Sequence, residues 1–329
     1  MVWVSTKPAK HRAADRAPRP ASAPRRTSVL SAILIVMGIV VLLVPVVLTK
    51  LHNADQVRIA EQYSASIREI PVDQREQELA RAQEWNERLG RFELRDPWSF
   101  APDPESPEYQ EYLGVLAMNP VMARLRVPSV GIDLPVYHGS TEKVLAQGAG
   151  HVFGSAFPIG GEGTHAALTG HTGVSTSTMF DNLHKVKLGD TFTVETLGKR
   201  VAYRVDNIIV VKPEDTQHLQ PVQGKDYVTL ITCTPYGVNT HRLLVTGERV
   251  PMDDGDAQAE AAHVHPRVLQ PWMIAVLASV VVILCVAGWI WLRSRKRAEK
   301  AVEATGKPEA LAAPESVGES EETEASIGG

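Results

Sequence analysis

Cysteine is scarce in this sequence, and several patterns that carry chemistry are missing from it. The 329 residues include two cysteines, Cys233 and Cys285. Cys285 lies in a long apolar run, so Cys233 has no partner for a disulfide. The formal net charge of −4 does not indicate a nucleic-acid partner. No cluster of metal ligands with suitable spacing and no glycine-rich phosphate loop occurs, so the sequence predicts no metal and no cofactor.

Charged residues are absent from two long apolar segments, 28–49 and 272–292. Each segment has the length of about 20 residues that a membrane-spanning helix needs. A cleaved signal peptide is the alternative for the first segment, but its apolar run exceeds the usual ~7–15 residues. Tryptophans near the ends of the second segment are typical of a membrane interface. We therefore expect two transmembrane helices.

Basic residues flank the outer ends of both apolar segments. Seven Lys or Arg residues precede the first segment, with Asp15 as the single acid, and five lie between residues 293 and 300. Because positively charged flanks stay in the cytoplasm, both termini are predicted to be cytoplasmic and the stretch between the spans extracytoplasmic. Cys233 is then an unpaired thiol outside the cell, which requires either burial or a chemical role.

The stretch between the two spans changes character along its length. Residues 53–90 are polar and helix-forming, with Pro71 as a predicted break between two helices. The following segment, RDPWSFAPDPESPEYQEY, is rich in turn formers and resembles a loop laid over another surface. From about residue 121, seven or more short β-forming runs alternate with Gly, Pro and Asp turns, which indicates a barrel or a sandwich.

These patterns divide the chain into seven predicted segments. They are a disordered basic cytoplasmic tail (1–27), a transmembrane helix (28–49), extracytoplasmic helices with a lid segment (50–120), a β-domain (121–252), a linker (253–271), a second transmembrane helix (272–292) and a basic, then acidic, disordered tail (293–329).

Three side chains of the β-rich region could together perform acyl transfer. His171, Cys233 and Arg242 each lie at an end of a β-forming run, beside turn-forming residues. A cysteine thiolate is a nucleophile, and an imidazole can take its proton and return it to a leaving amine. A guanidinium can stabilise the oxyanion of the tetrahedral intermediate.

The residues alone leave other interpretations open. Cys233 could be a buried small side chain, His171 a turn residue and Arg242 a surface group. The remaining histidines of the region could serve as the base on the same chemical grounds: His165, His184, His218 and His241.

Motifs in a fixed order favour the catalytic interpretation. The stretch TLITCTPYGVNTHRLLV resembles the active-site strand of sortases, and LTGHTG resembles the histidine motif that precedes it in that family. The resemblance covers about residues 121–250. It implies a closed sortase-type β-barrel with Cys233 as nucleophile, His171 as general acid and base, and Arg242 as the residue that stabilises the oxyanion or orients the substrate. His241 is not chosen, because neighbouring strand residues point to opposite faces.

A second resemblance concerns the class C, pilin-polymerising sortases. Members of this class carry a second, C-terminal span and a lid whose Asp-Pro-aromatic motif occupies the active site. RDPWSF supplies Asp96, Pro97 and Trp98, and we expect Asp96 to pair with Arg242 while Trp98 covers Cys233. The alternative is an ordinary turn with a packed tryptophan.

Two positions depart from the pattern of many pilin-type members. Thr172 in GHTG and Thr246 in LLVTG stand where those members carry arginine. The three catalytic candidates are untouched by this departure.

The resemblance implies a membrane-anchored cysteine transpeptidase on the outer face of a Gram-positive cell. Such an enzyme cleaves the Thr–Gly bond of LPxTG-like signals on pilin or surface proteins and passes the acyl group to a pilin lysine amine. The alternatives are attachment of surface proteins to peptidoglycan, hydrolysis by water, and a non-enzymatic, membrane-tethered binding module. A pilus-building enzyme is the hypothesis favoured by the sequence.

Overall fold

The computed structural model describes residues 25–89, 94–251 and 270–305. Most of the predicted basic tail, most of the predicted linker and the acidic end of the chain lie outside the described residues. The described helices are α1 (Arg25–Glu69), α2 (Val72–Arg88), α3 (Pro107–Gly114), the short α4 (Glu142–Leu145) and α5 (Pro271–Thr305).

Eight strands close into a barrel in the order β1-β2-β3-β4-β7-β8-β6-β5. The predicted closed, mainly β barrel is therefore confirmed. The strands are β1 (Ala123–Val127), β2 (Ile132–His138), β3 (Ala149–His151), β4 (Thr164–Thr169), β5 (Thr191–Thr196), β6 (Lys199–Val211), β7 (Asp226–Thr234) and β8 (His241–Val250).

Strand β7 lies between β4 and β8 and pairs with each in a different way. It runs parallel to β4, with Thr169 beside Ile231, and antiparallel to β8, with Cys233 opposite Arg242. A parallel pair needs a long crossover connection, and here the chain forms β5 and β6 before it returns to β7.

The two faces of β4, β7 and β8 pack against different apolar clusters, because side chains alternate along a strand. The interior face carries the main core, which includes Ala166, Leu168, Val228, Leu230, Leu243 and Val245. The outer face carries a smaller cluster around Ala167, Ile231 and Leu244, covered by Leu94 and Leu219, with Trp98 packed against it. By this alternation, Cys233 and Ile231 share the outer face.

Helix α1 is one continuous helix whose second half packs on the barrel. A stripe of buried side chains recurs at alternating spacings of three and four residues, the pattern of a helix with one packed face. The stripe consists of Thr49, Asn53, Gln56, Ala60, Tyr63 and Ile67. The hydroxyl of Tyr63 donates to the carbonyl of Met122 at 2.7 Å and accepts from the amide of Leu197 at 2.9 Å. The helix is thereby joined to two separate parts of the barrel.

The ends of two helices differ from the sequence-based boundaries. Helix α1 continues past the predicted span to Glu69, and the predicted break at Pro71 separates it from α2. Residues 293–305, predicted as the start of a disordered tail, continue α5 as helix. Arg, Lys, Glu and Ala are strong helix formers, which explains this continuation past the apolar segment.

Within the described residues, two helices are long and apolar enough to cross a membrane. They are Val29–Glu69, near the N-terminus, and Pro271–Arg297, and in each the most apolar window is only 11% buried by protein. This exposure of apolar side chains fits a lipid environment and membrane anchoring. The described residues 277–305 belong to a different compact unit from the one that contains the barrel.

A buried ion pair joins β1 and β2 beneath α1. Arg124 donates to both carboxylate oxygens of Asp133, at 2.7 Å and 2.6 Å, and to the hydroxyl of Ser64 at 3.2 Å. Both charged side chains are less than a tenth exposed. Asp133 also lies 3.6 Å from Arg126, so its removal takes the paired carboxylate away from buried Arg124 and from Arg126.

We expect Asp133→Ala to lower the free energy of unfolding by about 3–5 kcal/mol, because Arg124 then remains charged in the interior. The measurement is denaturant unfolding of the detergent-solubilised chain, followed by tryptophan fluorescence. Glu111→Ala is the matched control, since Glu111 pairs with Arg88 on the surface and its loss should leave stability unchanged. Equal stabilities of the two variants would contradict this account.

Candidate active site

Cys233 and Arg242 face each other across the antiparallel pair formed by β7 and β8. Cys233 is 8% exposed and Arg242 is 7% exposed. Burial raises the pKa of the Cys233 thiol; the positive charge of Arg242 opposes this effect and the negative charge of Asp96 adds to it. In the structure as it stands, the thiol is therefore held in its protonated, less reactive form.

His171 begins the loop that follows β4. The β4/β7 pairing ends at Thr169 and Ile231, where the Gly170 amide donates to the carbonyl of Ile231 at 3.1 Å. The side-chain hydroxyl of Thr232 donates to the carbonyl of Gly170 at 2.7 Å. These contacts hold Gly170, and with it the start of the loop that carries His171, against the end of β7 that carries Cys233.

The imidazole of His171 is largely enclosed but not fully paired. Its Nε2 atom lies 3.2 Å from a carboxylate oxygen of Glu142, which is itself 84% exposed. The contact has the separation of an ion pair without the alignment of a hydrogen bond, and Nε2 makes no hydrogen bond to the described residues. A buried ring nitrogen in this state is available to a reacting group.

Residues 94–100, called the lid segment below, lie over this site. Asp96 accepts from Nε of Arg242 at 2.6 Å and from a terminal guanidinium nitrogen at 3.0 Å, which is a two-point charged contact. The same carboxylate accepts from the amide and hydroxyl of Ser99, at 3.0 Å and 2.7 Å. The turn is thereby fixed around Asp96, and Ser140 donates to the carbonyl of Pro97 at 3.0 Å.

Trp98 lies between Arg242 and His171. Its ring centre is 4.7 Å from the central carbon of the Arg242 guanidinium and 6.5 Å from the centre of the His171 ring. The first contact has the geometry of a cation–π interaction. The Trp98 indole N–H is buried and has no hydrogen-bond partner among the described residues.

The lid segment occupies one edge of the Arg242 guanidinium. Asp96 accepts from two of its nitrogens, and the third donates to the carbonyls of Asn239 and His241, each at 3.2 Å. A substrate group that needs a two-point contact with the edge bound by Asp96 must therefore displace Asp96. The structure describes a closed site in which the predicted residues lie together under the lid segment.

A buried carboxylate that the sequence analysis did not select holds the histidine loop (residues 170–181). Asp181 accepts from the Gly173 amide at 2.8 Å and from the Thr172 hydroxyl at 3.4 Å. Burial raises the pKa of Asp181 to about 6. In the sequence, Asp181 is recognisable only as an aspartate two residues before the apolar Leu183. Many surface turns show the same pattern, so the sequence does not mark this carboxylate as buried.

The other histidines considered as bases have different environments. His165 is 3% exposed, and burial lowers its pKa. Its Nδ1 lies 3.1 Å from the carbonyl of Gln220, which can only accept, so Nδ1 carries the proton and Nε2 accepts from Thr229 at 2.7 Å. Thr246, one of the positions where arginine was expected, lies 2.8 Å from Thr229. These contacts give His165 a structural role on the outer face of β4 and β7.

Three further histidines make local contacts with residues near them in the sequence. They are His184, which lies 2.7 Å from the Asp181 carbonyl, His218, which lies 3.8 Å from an Asp215 oxygen, and His241, which contacts the adjacent Thr240.

The family comparison places the β-rich region among known proteins. A family model described as "Sortase domain" matches residues 125–250. Among curated proteins, Sortase A of Bacillus anthracis is 33% identical over 130 residues, which is 40% of this chain and 60% of that protein. The chain thus spans less than two thirds of this curated relative.

Solved structures extend the similarity beyond the barrel. Sortase C-1 from Actinomyces oris is 53% identical, with a TM-score of 0.52, and the match covers 54% of this chain and 99% of that chain. Sortase C of Streptococcus pneumoniae is 34% identical, with a TM-score of 0.55, over 59% of this chain and 97% of that one. The latter structure was described in relation to pilin substrate specificity.

We expect Asp96→Ala and Trp98→Ala to accelerate labelling of Cys233 by a cationic thiol reagent. If the contacts of the lid segment contribute about 1.4 kcal/mol, the rate rises about 10-fold. The measurement uses a Cys285→Ser background, so that Cys233 is the single thiol, with Asp103→Ala as the control for loss of an exposed carboxylate. Unchanged rates would leave residues 96–98 as an ordinary turn.

The pH dependence of the same labelling reaction should shift in a defined direction. Burial and Asp96 raise the pKa of Cys233, whereas Arg242 lowers it. Opening the lid segment by Asp96→Ala weakens both raising effects, so the midpoint of the rate profile should move to lower pH. In the same background, Arg242→Gln should move it to higher pH. A midpoint that is equal in all variants would contradict this electrostatic account.

Proposed function

The chain belongs to the sortase family, and on that premise we propose that it is a membrane-anchored class C cysteine transpeptidase that joins pilin subunits. The single observation that carries the proposal is the lid segment, whose Asp96 and Trp98 both contact Arg242 at the catalytic cysteine. Similarity to sortase C structures supports the same class.

Cys233 forms the covalent intermediate. Its sulfur attacks the carbonyl carbon of threonine in an LPxTG-like signal, and the threonine–glycine C–N bond breaks. His171 first takes the proton of the Cys233 thiol and then gives it to the departing glycine amine. The product of this half-reaction is a thioester between the donor protein and Cys233.

Arg242 stabilises the oxygen that becomes negative during the attack. Its charge lies on the neighbouring strand, directly opposite the sulfur, so it can act on both the thiolate and the tetrahedral intermediate. A two-point contact through Nε and the same terminal nitrogen requires that Asp96 leaves the guanidinium, since Asp96 accepts from both nitrogens in the closed site.

The second half-reaction transfers the acyl group to an amine. A lysine amine of a neighbouring pilin attacks the thioester carbonyl, the C–S bond breaks, and the proton lost by the amine passes to His171. The result is an isopeptide bond and a regenerated Cys233. The closed lid segment protects the thiol between cycles, because burial and protonation slow its oxidation.

The two apolar helices hold the enzyme at the membrane. The basic residues at their outer ends support a topology with both termini in the cytoplasm and the barrel outside the cell. Pilin precursors with a sorting signal near the membrane would then be within reach of the barrel.

The proposal is tested by Cys233→Ala in cells that lack other sortases. We expect SDS-resistant, high-molecular-weight pilin ladders to disappear, because no thioester forms without the sulfur. His218→Ala is the control, since His218 is a partly exposed histidine that contacts Asp215. Pilin ladders are detected by immunoblotting of cell-surface extracts.

The alternatives give different patterns in the same experiment. Ladders that persist in Cys233→Ala would exclude transpeptidation by this site. Wild-type cells without ladders, but with LPxTG proteins linked to the wall, would favour attachment to peptidoglycan. Release of cleaved pilin into the medium would favour hydrolysis.

A further inference from the structure

The histidine loop has contacts to a part of the chain that the proposed mechanism does not use. Gly170 and Gly173 flank His171, and Gly173 has a φ of +81°. Glycine permits many backbone conformations, so the local sequence does not by itself fix the conformation of this part of the loop. The position of the imidazole therefore depends on the external contacts of this loop.

The outer half of the loop is bound by α1, just after its apolar segment. Asn53 accepts from the Thr178 amide at 2.9 Å, and its side-chain nitrogen donates to the Thr178 hydroxyl at 2.6 Å. One helical turn earlier, the Thr49 hydroxyl shares its single hydrogen between the carbonyl of Ser175 at 2.9 Å and the carbonyl of Pro45, in its own helix, at 2.8 Å. Asn53 is 8% exposed and Thr49 is 1% exposed, so these contacts are shielded from water.

A short series of hydrogen bonds connects α1 to His171. The amide of Phe180, two residues after Thr178, donates to the carbonyl of His171 at 3.0 Å. Any shift of Thr178 is therefore transmitted to His171 through Phe180 and through the loop itself. On the same segment, Gln270, just before α5, donates to the side chain of Asn182 at 3.2 Å.

We propose that Asn53 is a positioning residue, through which the membrane-proximal part of α1 fixes the histidine loop and thereby the imidazole of His171. Because α1 is continuous from the apolar segment to Asn53, the anchor helix is also part of the catalytic framework. This inference rests on the proposed transpeptidase function.

The inference predicts a specific kinetic change. A displacement of about 1 Å at a catalytic group can reduce a rate about 100-fold without loss of the fold. Asn53→Ala should therefore lower kcat for cleavage of an LPxTG peptide, with hydroxylamine as acceptor, by about 10-fold to 100-fold. KM for the peptide should stay within about twofold, because a change in the transition state alone leaves ground-state binding unaltered.

The rescue variant distinguishes positioning from general stability. Asn53→Asp keeps an acceptor for the Thr178 amide, and its second oxygen can accept from the Thr178 hydroxyl, which donates as well as accepts. This variant should recover most of kcat, whereas Asn53→Leu should not. Gln62→Ala is the matched control, since it removes an exposed amide from the same helix.

The assays use the full chain in detergent, with the Asp96→Ala change in every variant to open the lid segment. Labelling of Cys233 should proceed at the same rate in Asn53→Ala and in its parent, because β7 and β8 hold Cys233 without this contact. If Asn53→Ala does not fold, Thr178→Val gives the same test, since it removes one of the two hydrogen bonds and leaves Asn53 in place. A smaller fall in kcat is then expected.

The outcomes separate the two proposals. Equal kcat in Asn53→Ala and Gln62→Ala, or no recovery by Asn53→Asp in a stable protein, overturns the role of Asn53 alone. A parent protein that forms no thioester with the peptide overturns the transpeptidase function, and the role of Asn53 with it.

Discussion

The position of β7 between β4 and β8 is the constraint on which the site depends. Its parallel pairing with β4 brings the end of that strand, and hence His171, beside the end of β7. Its antiparallel pairing with β8 sets Arg242 opposite Cys233. A shift of one residue in either register would turn Cys233 or its partner toward the barrel interior, where the main core leaves no room for it. The hydrophobic alternation of the strands therefore also fixes the relative placement of the catalytic candidates.

The lid segment adds a second set of contacts to the site formed by β4, β7 and β8. These contacts compete with a substrate for Arg242. The same guanidinium that could stabilise a developing oxyanion is bound by Asp96 and covered by Trp98. The ion pair with Asp96 and the ring contact with Trp98 both favour closure. The raised pKa of Cys233 belongs to this closed state, because burial and Asp96 both contribute to it.

The N-terminal helix links its apolar segment to the histidine loop and to the barrel. A stripe of its buried side chains runs from Thr49, at the end of the predicted span, along the barrel to Ile67. The first two residues of that stripe bind the histidine loop, and the later ones bind the barrel wall. Anchoring and positioning are thus properties of one helix. This arrangement would keep the active site at a fixed distance from the bilayer.

The sequence by itself determined the β-rich domain, the two apolar helices and the likeness of two motifs to sortases, because alternation, length and local motif order are properties of neighbouring residues. It also indicated that Asp96 could meet Arg242, although the two are 146 positions apart. Only the tertiary structure decided that His165 is a buried structural group and that Asp181 and Asn53 hold the histidine loop. These roles come from contacts between distant segments, such as Asn53 and Thr178, and no local pattern distinguishes those side chains from ordinary polar residues.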